Sequence, residues 1–320
     1  MQTSITPFNA ASLNEPEGQM RPWPALAGRA FCLSSFPGET IFFFDSAPAD
    51  KTHSLDSPPV FVLIHGLGDE ADSFRHIIPL LNATGFRVLV PDLPGFGRSV
   101  AKGRINLKNH AAAVLRLIEA VIPPNSQSPV FLAGNSLGAL VAEAAAFRKP
   151  NLIRGLVLID GSIPGGPSNP GLIALAKLLF SRKWYRSYRG APKDAWASLY
   201  PYYADLESMP PEDKEFLQER VMARVESPTQ ERAFFATQRS LIKAFILSSA
   251  WFARKIRSYN GKILLIWGEK DRIIPLSSTE KIRKLRPDIR LEVIPGAGHL
   301  PHQEKPAETA RLMADFALAQ

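Results

Sequence analysis

The chain is almost without cysteine. Cys32 is the only one in 320 residues, so no intrachain disulfide can form and the fold must rest on a buried core. No motif surrounds Cys32, and it reads as an inert side chain. Long apolar runs are missing as well. The most apolar helical candidate, residues 137–147, is too short to span a bilayer and carries Glu143. The opening residues hold neither a basic segment nor an apolar one, unlike a secretory signal. The expectation is a soluble, cytoplasmic protein with no integral membrane association. No His, Cys or carboxylate cluster has metal-ligand spacing, and Gly95-Phe96-Gly97 lacks the full dinucleotide fingerprint. No cofactor or metal is expected. There is no internal repeat, no nucleic-acid motif and no long lysine tract. The net charge of +8, from 38 basic and 30 acidic residues, therefore reads as a solubility charge and not as a nucleic-acid footprint.

The composition is ordinary for a globular chain, with 45% hydrophobic and 21% charged residues. Residues 1–28 are polar and rich in Pro and Gly, and read as a loosely held leader. Residues 30–35 and 39–44, split by Pro37-Gly38, predict a hairpin. After a polar loop the pattern changes. Short runs at 60–64, 87–90, 130–133, 156–159, 263–267 and 291–294 are nearly continuous in apolar character, as strands buried on both faces are. Amphipathic stretches lie between them, such as 107–122, ended by Pro123-Pro124, and 137–148, ended by Pro150. Alternating strands and helices predict an α/β fold with a mostly parallel sheet covered on both sides. The alternation breaks once. Residues 161–260 hold helix-like pieces and no comparable strand, which predicts a helical insertion after the sixth sheet strand. The core then falls into two parts, 29–160 and 261–320.

Four loops carry chemistry, each at the C-terminal end of a predicted strand. Gly134-Asn135-Ser136-Leu137-Gly138 joins a strand to a helix, the context a G-x-S-x-G nucleophile elbow requires. A serine there sits in a strained turn that lifts its hydroxyl above the sheet. The loop His65-Gly66-Leu67-Gly68 follows the strand at 60–64. Backbone amides of Leu67 and Leu137 are the expected pair of donors to an oxyanion. His65 reads as a loop-holding residue. Gly268-Glu269-Lys270-Asp271-Arg272 offers Asp271 as the carboxylate that orients an imidazole, with Asp160 and Glu269 as alternatives. Pro295-Gly296-Ala297-Gly298-His299 offers His299 as general base, in preference to His302.

The order and context of these loops, with Asp92-Leu-Pro-Gly-Phe-Gly-Arg-Ser99, resemble the α/β-hydrolase superfamily in its cap-bearing branch. The resemblance spans roughly residues 28–320. It implies the α/β-hydrolase sandwich, an architectural role for Asp92 and its loop, and a catalytic triad of Ser136, Asp271 and His299. It also implies that 161–260 forms a helical cap over the site. Relatives with an Asp nucleophile are disfavoured by Ser136. Relatives that cleave C–C bonds usually carry Trp after the histidine, where this chain has Leu300.

The resulting expectation is a serine hydrolase acting on a small or medium, apolar carboxylic ester through an acyl-enzyme, resembling carboxylesterases and lipases. A C–C hydrolase, lactonase, amidase or acyltransferase on the same machinery, or a non-enzymatic ligand sensor, are the competing readings. Seven aromatics of the insertion (Trp184, Tyr185, Tyr188, Trp196, Tyr200, Tyr202 and Tyr203) could line a pocket, but most are expected to pack the cap helices together. The basic-aromatic segment 181–189 is a candidate for peripheral membrane contact, although a solvated face is expected there. The chain is expected to be a monomer or homodimer.

Overall fold

Strand runs that are apolar at every position must be covered on both sides, and the computed structural model shows how. It describes residues 3–9, 20–36, 38–47, 57–164 and 181–319. One nine-stranded sheet runs in the order β1-β2-β3-β5-β4-β6-β7-β8-β9. The strands are β1 Ser4–Pro7, β2 Ala30–Phe36, β3 Glu39–Asp45, β4 Val60–Ile64, β5 Arg87–Pro91, β6 Val130–Asn135, β7 Gly155–Ile159, β8 Lys262–Gly268 and β9 Arg290–Ile294. β1, β2 and β3 pair antiparallel, β3 lies antiparallel to β5, and all later pairings are parallel.

Alternate strand residues feed two separate cores. Val60, Val62, Ile64, Leu132, Leu156 and Leu265 face a cluster with helices α2 (Leu107–Val121) and α3 (Leu137–Ala146). Phe61, Leu63, Phe131, Val157 and Ile266 face the other side, against α1 (Ile77–Ala83) and the C-terminal helix. The period of two in a pleated strand makes this division automatic.

Between β7 and β8 the described chain is helical: α4 Arg182–Ser187, α5 Pro192–Ala197, α6 Pro211–Glu226, α7 Pro228–Lys243, a π-helical turn Ala244–Ser248 and α8 Ser249–Ser258. After β8 come α9 Ser278–Leu285, α10 Pro301–Glu304 and α11 Pro306–Leu318.

The N-terminal segment departs from expectation. Its residues 4–7 form the edge strand β1, paired with Phe31–Ser34 of β2. Met20 is buried, and the Trp23 N–H donates to Asp72 Oδ1 at 2.7 Å. Composition suggested a loose leader because short polar segments give no periodicity, yet an open edge of β2 offers unpaired amides and carbonyls to any extended chain nearby. The extra strand makes β7 the seventh in chain order, so the helical stretch follows the seventh strand and not the sixth. Residues 10–19 of the leader, Pro37 of the hairpin turn, 48–56 of the polar loop and 165–180 at the start of the insertion lie outside the described residues.

The chain leaving β7 is tied to α3 by a buried acid. Glu143 accepts hydrogen bonds from the Ser162 hydroxyl and, at 3.0 Å, from the Ile163 N–H. Burial pushes its pKa from the ordinary 4.5 up to about 7. Between those values the folded chain keeps the proton and the unfolded chain has lost it. The resulting stability is complete below pH 4.5 and is lost as pH rises toward 7, a change on the order of 3 kcal/mol. In urea unfolding, the advantage of wild type over Glu143→Gln should therefore shrink by about 2–3 kcal/mol between acid and mildly alkaline pH. A constant difference would refute the protonated acid.

Candidate active site

The elbow after β6 is built by backbone contact. Ser136 has φ 53° and ψ −115°, a conformation costing about 1–3 kcal/mol for a residue with a Cβ. The turn is held by the Ser136 N–H donating to Ile159 O at 2.9 Å. α3 starts so close to β4 that a Cβ on Gly138 would lie 1.9 Å from Ile64 O. Only glycine permits that approach. It brings the amide of Leu137, at the first turn of α3, next to the loop after β4. Neither the Leu137 nor the Leu67 amide donates to another group among the described residues, so both are available to an oxyanion.

His65 holds the Leu67 loop. Its Nε2 accepts from the Leu93 N–H at 2.9 Å, which leaves Nδ1 protonated and donating to Gly66 O at 2.8 Å. Burial lowers its pKa and keeps it neutral. Asp92 holds the same region from behind. Its carboxylate accepts from the Ala71 N–H at 2.7 Å and from the Arg98 backbone and guanidinium at 2.8–3.0 Å.

His299 is fixed on three sides. Its Nδ1 lies 2.8 Å from Asp271 Oδ2, its N–H donates to Tyr202 O at 2.8 Å, and its carbonyl accepts from Asn135 Nδ2 at 3.0 Å. Asp271 is itself oriented by the N–H groups of Ile273 and Ile274, at 2.7 and 2.9 Å on Oδ1. His299 is 2% exposed, and it lines one cavity together with Ser136 and Leu67.

Asp160 also reaches this group: an atom each of Asp160, Asp271 and His299 fall within 4.8 Å of one another. These are the donors that could hold a cation. Their convergence has a simpler cause. Asp160 is fully buried; desolvation first, and the charge of Asp271 second, raise its pKa well above the ordinary 3.8. Its Oδ1 accepts from the Gly268 N–H at 2.9 Å. Burial thus favours the neutral form of Asp160 beside Asp271, and Asp271 is the carboxyl group bonded to the imidazole. Glu269 points elsewhere, accepting from the Gly296 N–H at 2.9 Å. His302 is buried beside Phe74, bonded to Ser73 at 2.9 Å, with its pKa lowered to about 3.

Three residues escaped sequence reasoning. Asn135, the variable position of the elbow, braces the histidine loop. Glu304 accepts from the N–H groups of both Gly298 and Ala204 at 2.9 Å, clasping that loop to the helical stretch. Arg224 of α6 donates to Gly68 O at 3.0 Å and to both Glu70 oxygens at 2.7 and 2.8 Å, with Asp69 at 3.1 Å. No motif marks Glu304 or Arg224, the elbow pattern leaves the identity of Asn135 open, and each of the three has a partner distant in sequence.

The cavity has a volume of about 310 Å³. Five of the seven singled-out aromatics line it (Trp184, Tyr185, Tyr188, Tyr202 and Tyr203), more than expected; Trp196 and Tyr200 do not. Tyr185 and Tyr203 also pack the helices, so lining and packing are not exclusive. The charges at the wall, Asp69 and Arg224, pair with each other.

A model of the Alpha/beta hydrolase family matches residues 61–312. The chain belongs to this family. It is 26% identical over 252 residues to Lipase 3 of a Moraxella species, covering 78% of this chain and 74% of that protein. It is 29% identical over 274 residues to 2-hydroxy-6-oxo-6-phenylhexa-2,4-dienoate hydrolase of Burkholderia cepacia, covering 80% and 86%. The fold is similar to that of carboxylesterase CesB from Bacillus subtilis, with a TM-score of 0.70 at 19% identity over 91% of this chain and 92% of that one. Its relatives thus include proteins named as a lipase and as a dienoate hydrolase. Among its described residues, no helix is long and apolar enough to cross a membrane.

The clasp around His299 can be tested directly. A Cβ on Gly298 would stand 2.6 Å from the Ala204 nitrogen and 2.8 Å from Tyr202 O. Gly298→Ala should lower unfolding free energy by about 2–4 kcal/mol in urea titration.

Proposed function

We propose that the protein is a serine hydrolase that cleaves small or medium, apolar carboxylic esters through an acyl-enzyme, with the helices between β7 and β8 acting as a cap. The observation that carries this reading is the Nδ1–Asp271 bond at 2.8 Å on a histidine that shares one cavity with Ser136. With Nδ1 engaged, Nε2 is the nitrogen left to accept a proton. His299 takes the proton of Ser136 as its oxygen attacks the ester carbonyl. The amides of Leu67 and Leu137 stabilise the tetrahedral oxyanion, a contribution of about 10²–10³ in rate per donor. His299 then protonates the leaving alcohol, and water repeats the sequence on the acyl-enzyme.

The cavity favours the substrate class. Its volume of about 310 Å³ lies at the lower end for small-molecule sites, roughly 300–1,000 Å³. Its walls are mainly aromatic and aliphatic, and its Asp69–Arg224 pair leaves no net charge to recognise an ionised substrate. The C–C hydrolase reading draws support from the Burkholderia relative, while Leu300 beside His299 favours the ester.

Ser136→Ala should abolish labelling by a fluorophosphonate probe; equal labelling of the variant would refute the nucleophile. A series of p-nitrophenyl esters set beside a vinylogous diketone should show turnover of the short and medium esters and none of the diketone. The two acids separate as well. Asp271→Asn should reduce kcat/KM by about 10⁴, because the amide stabilises the wrong tautomer. Asp160→Asn, which mimics a neutral acid, should stay within about tenfold of wild type. The reverse ranking would reassign the orienting carboxylate.

A further inference from the structure

Between Glu231 and Glu269 the chain carries seven Lys and Arg and no Asp or Glu. Against a net charge of +8 for the whole molecule, this stretch accounts for nearly all of the excess. It forms α7, the π-helical turn, α8 and β8 in unbroken succession. Some other surface cations sit in pairs, such as Arg290 with Glu292 and Arg311 with Asp315. Among the described residues, none of the seven has such a carboxylate partner.

The same stretch carries its apolar side chains outward as well as inward. Ala244, Phe252 and Ile256 pack into the core. On the other side Leu247 is 77% exposed, Ile246 57% and Trp251 37%. Helical spacing puts Lys243 one turn and Arg239 two turns before this crest, and Arg254 and Lys255 one turn after it. The Lys255 ammonium lies 5.7 Å from the centre of the Trp251 ring. An apolar crest flanked by cations, with an aromatic among them, is the composition of a helix that lies in a membrane interface.

We propose that the ridge from Arg239 to Arg254 docks this protein on an anionic phospholipid surface, with Ile246, Leu247 and Trp251 entering the headgroup boundary and the flanking cations meeting lipid phosphates. A second copy of the chain fits poorly, since it would set one uncompensated basic face against another. Nucleic acid would satisfy the cations but would leave three large apolar side chains against phosphate. The segment 181–189, the other candidate for peripheral membrane contact, is engaged elsewhere. There Arg182, Arg186 and Arg189 all converge on Glu231, and Trp184, Tyr185 and Tyr188 turn into the cavity. That segment has little left to offer a membrane.

The test is flotation of the full chain with vesicles of phosphatidylcholine alone or mixed with phosphatidylglycerol. Wild type should bind the mixed vesicles at least about tenfold more tightly than the neutral ones, and less tightly as salt rises. Ile246→Ser with Leu247→Ser should weaken binding about tenfold. Lys243→Glu with Arg254→Glu should weaken it by about 25-fold or more, at about fivefold for each cation. Lys305→Glu with Arg311→Glu carries the same charge change elsewhere and should change binding by less than about threefold. An unchanged thermal midpoint in each pair keeps misfolding out of the comparison. The proposal is overturned by wild type that ignores the mixed vesicles, or by equal losses in the two charge-reversed pairs. It is also overturned by a solution dimer that the Ile246–Leu247 pair dissociates, or by tighter binding to duplex DNA that this pair leaves intact.

Discussion

The contact of α3 with β4, where Gly138 meets the Ile64 carbonyl, is the constraint from which the site follows. Parallel strands put all their C-terminal ends on one edge of the sheet, but how closely the loops there approach one another depends on what side chains stand between them. Backbone against backbone closes the distance. The elbow is pressed against the loop after β4 at Gly138, and the loop after β8 is pressed against the histidine loop, where a Cβ on Gly268 would fall 1.8 Å from Gly298 O. Strain at Ser136 is held in place because these contacts leave the turn no other conformation.

Around this frame the buried charges act as fasteners. Arg98 joins Asp92 and Asp72 behind the Leu67 loop. Arg224 reaches the same loop from α6. Such pairs contribute less to net stability than their number suggests, because each charge must be taken out of water. Their effect is to fix one geometry: losing a single partner strands a buried charge. Asp160 shows the other solution. Burial and the charge of Asp271 raise its pKa, which favours the protonated form and eases repulsion between two carboxyl groups sharing one corner.

The helices between β7 and β8 do more than line the cavity. The Tyr202 carbonyl accepts from the His299 N–H, the Ala204 amide is tied to the same loop through Glu304, and Arg224 grips the loop carrying Leu67. Cavity wall and reactive edge are therefore one mechanical unit. A sequence reading that treats core and insertion as separate modules misses this, because the gripping groups are mostly backbone atoms, which carry no residue signature.

The sequence by itself determined the strand order in chain direction, the elbow, and the candidate serine, acid and histidine. Continuous apolar runs, glycines at fixed offsets and a strand–turn–helix rhythm are local signals, set by sterics within a few residues. Tertiary structure decided what depends on distance. It paired Ser4–Pro7 with β2, a partner no short-range pattern names. It separated Asp271 from Asp160 through burial and the proximity of two charges. It turned the aromatics of 184–188 inward and left Ile246 and Leu247 facing water. Each of these outcomes is a property of surroundings assembled from far along the chain, and desolvation, pairing and exposure exist only once those surroundings are built.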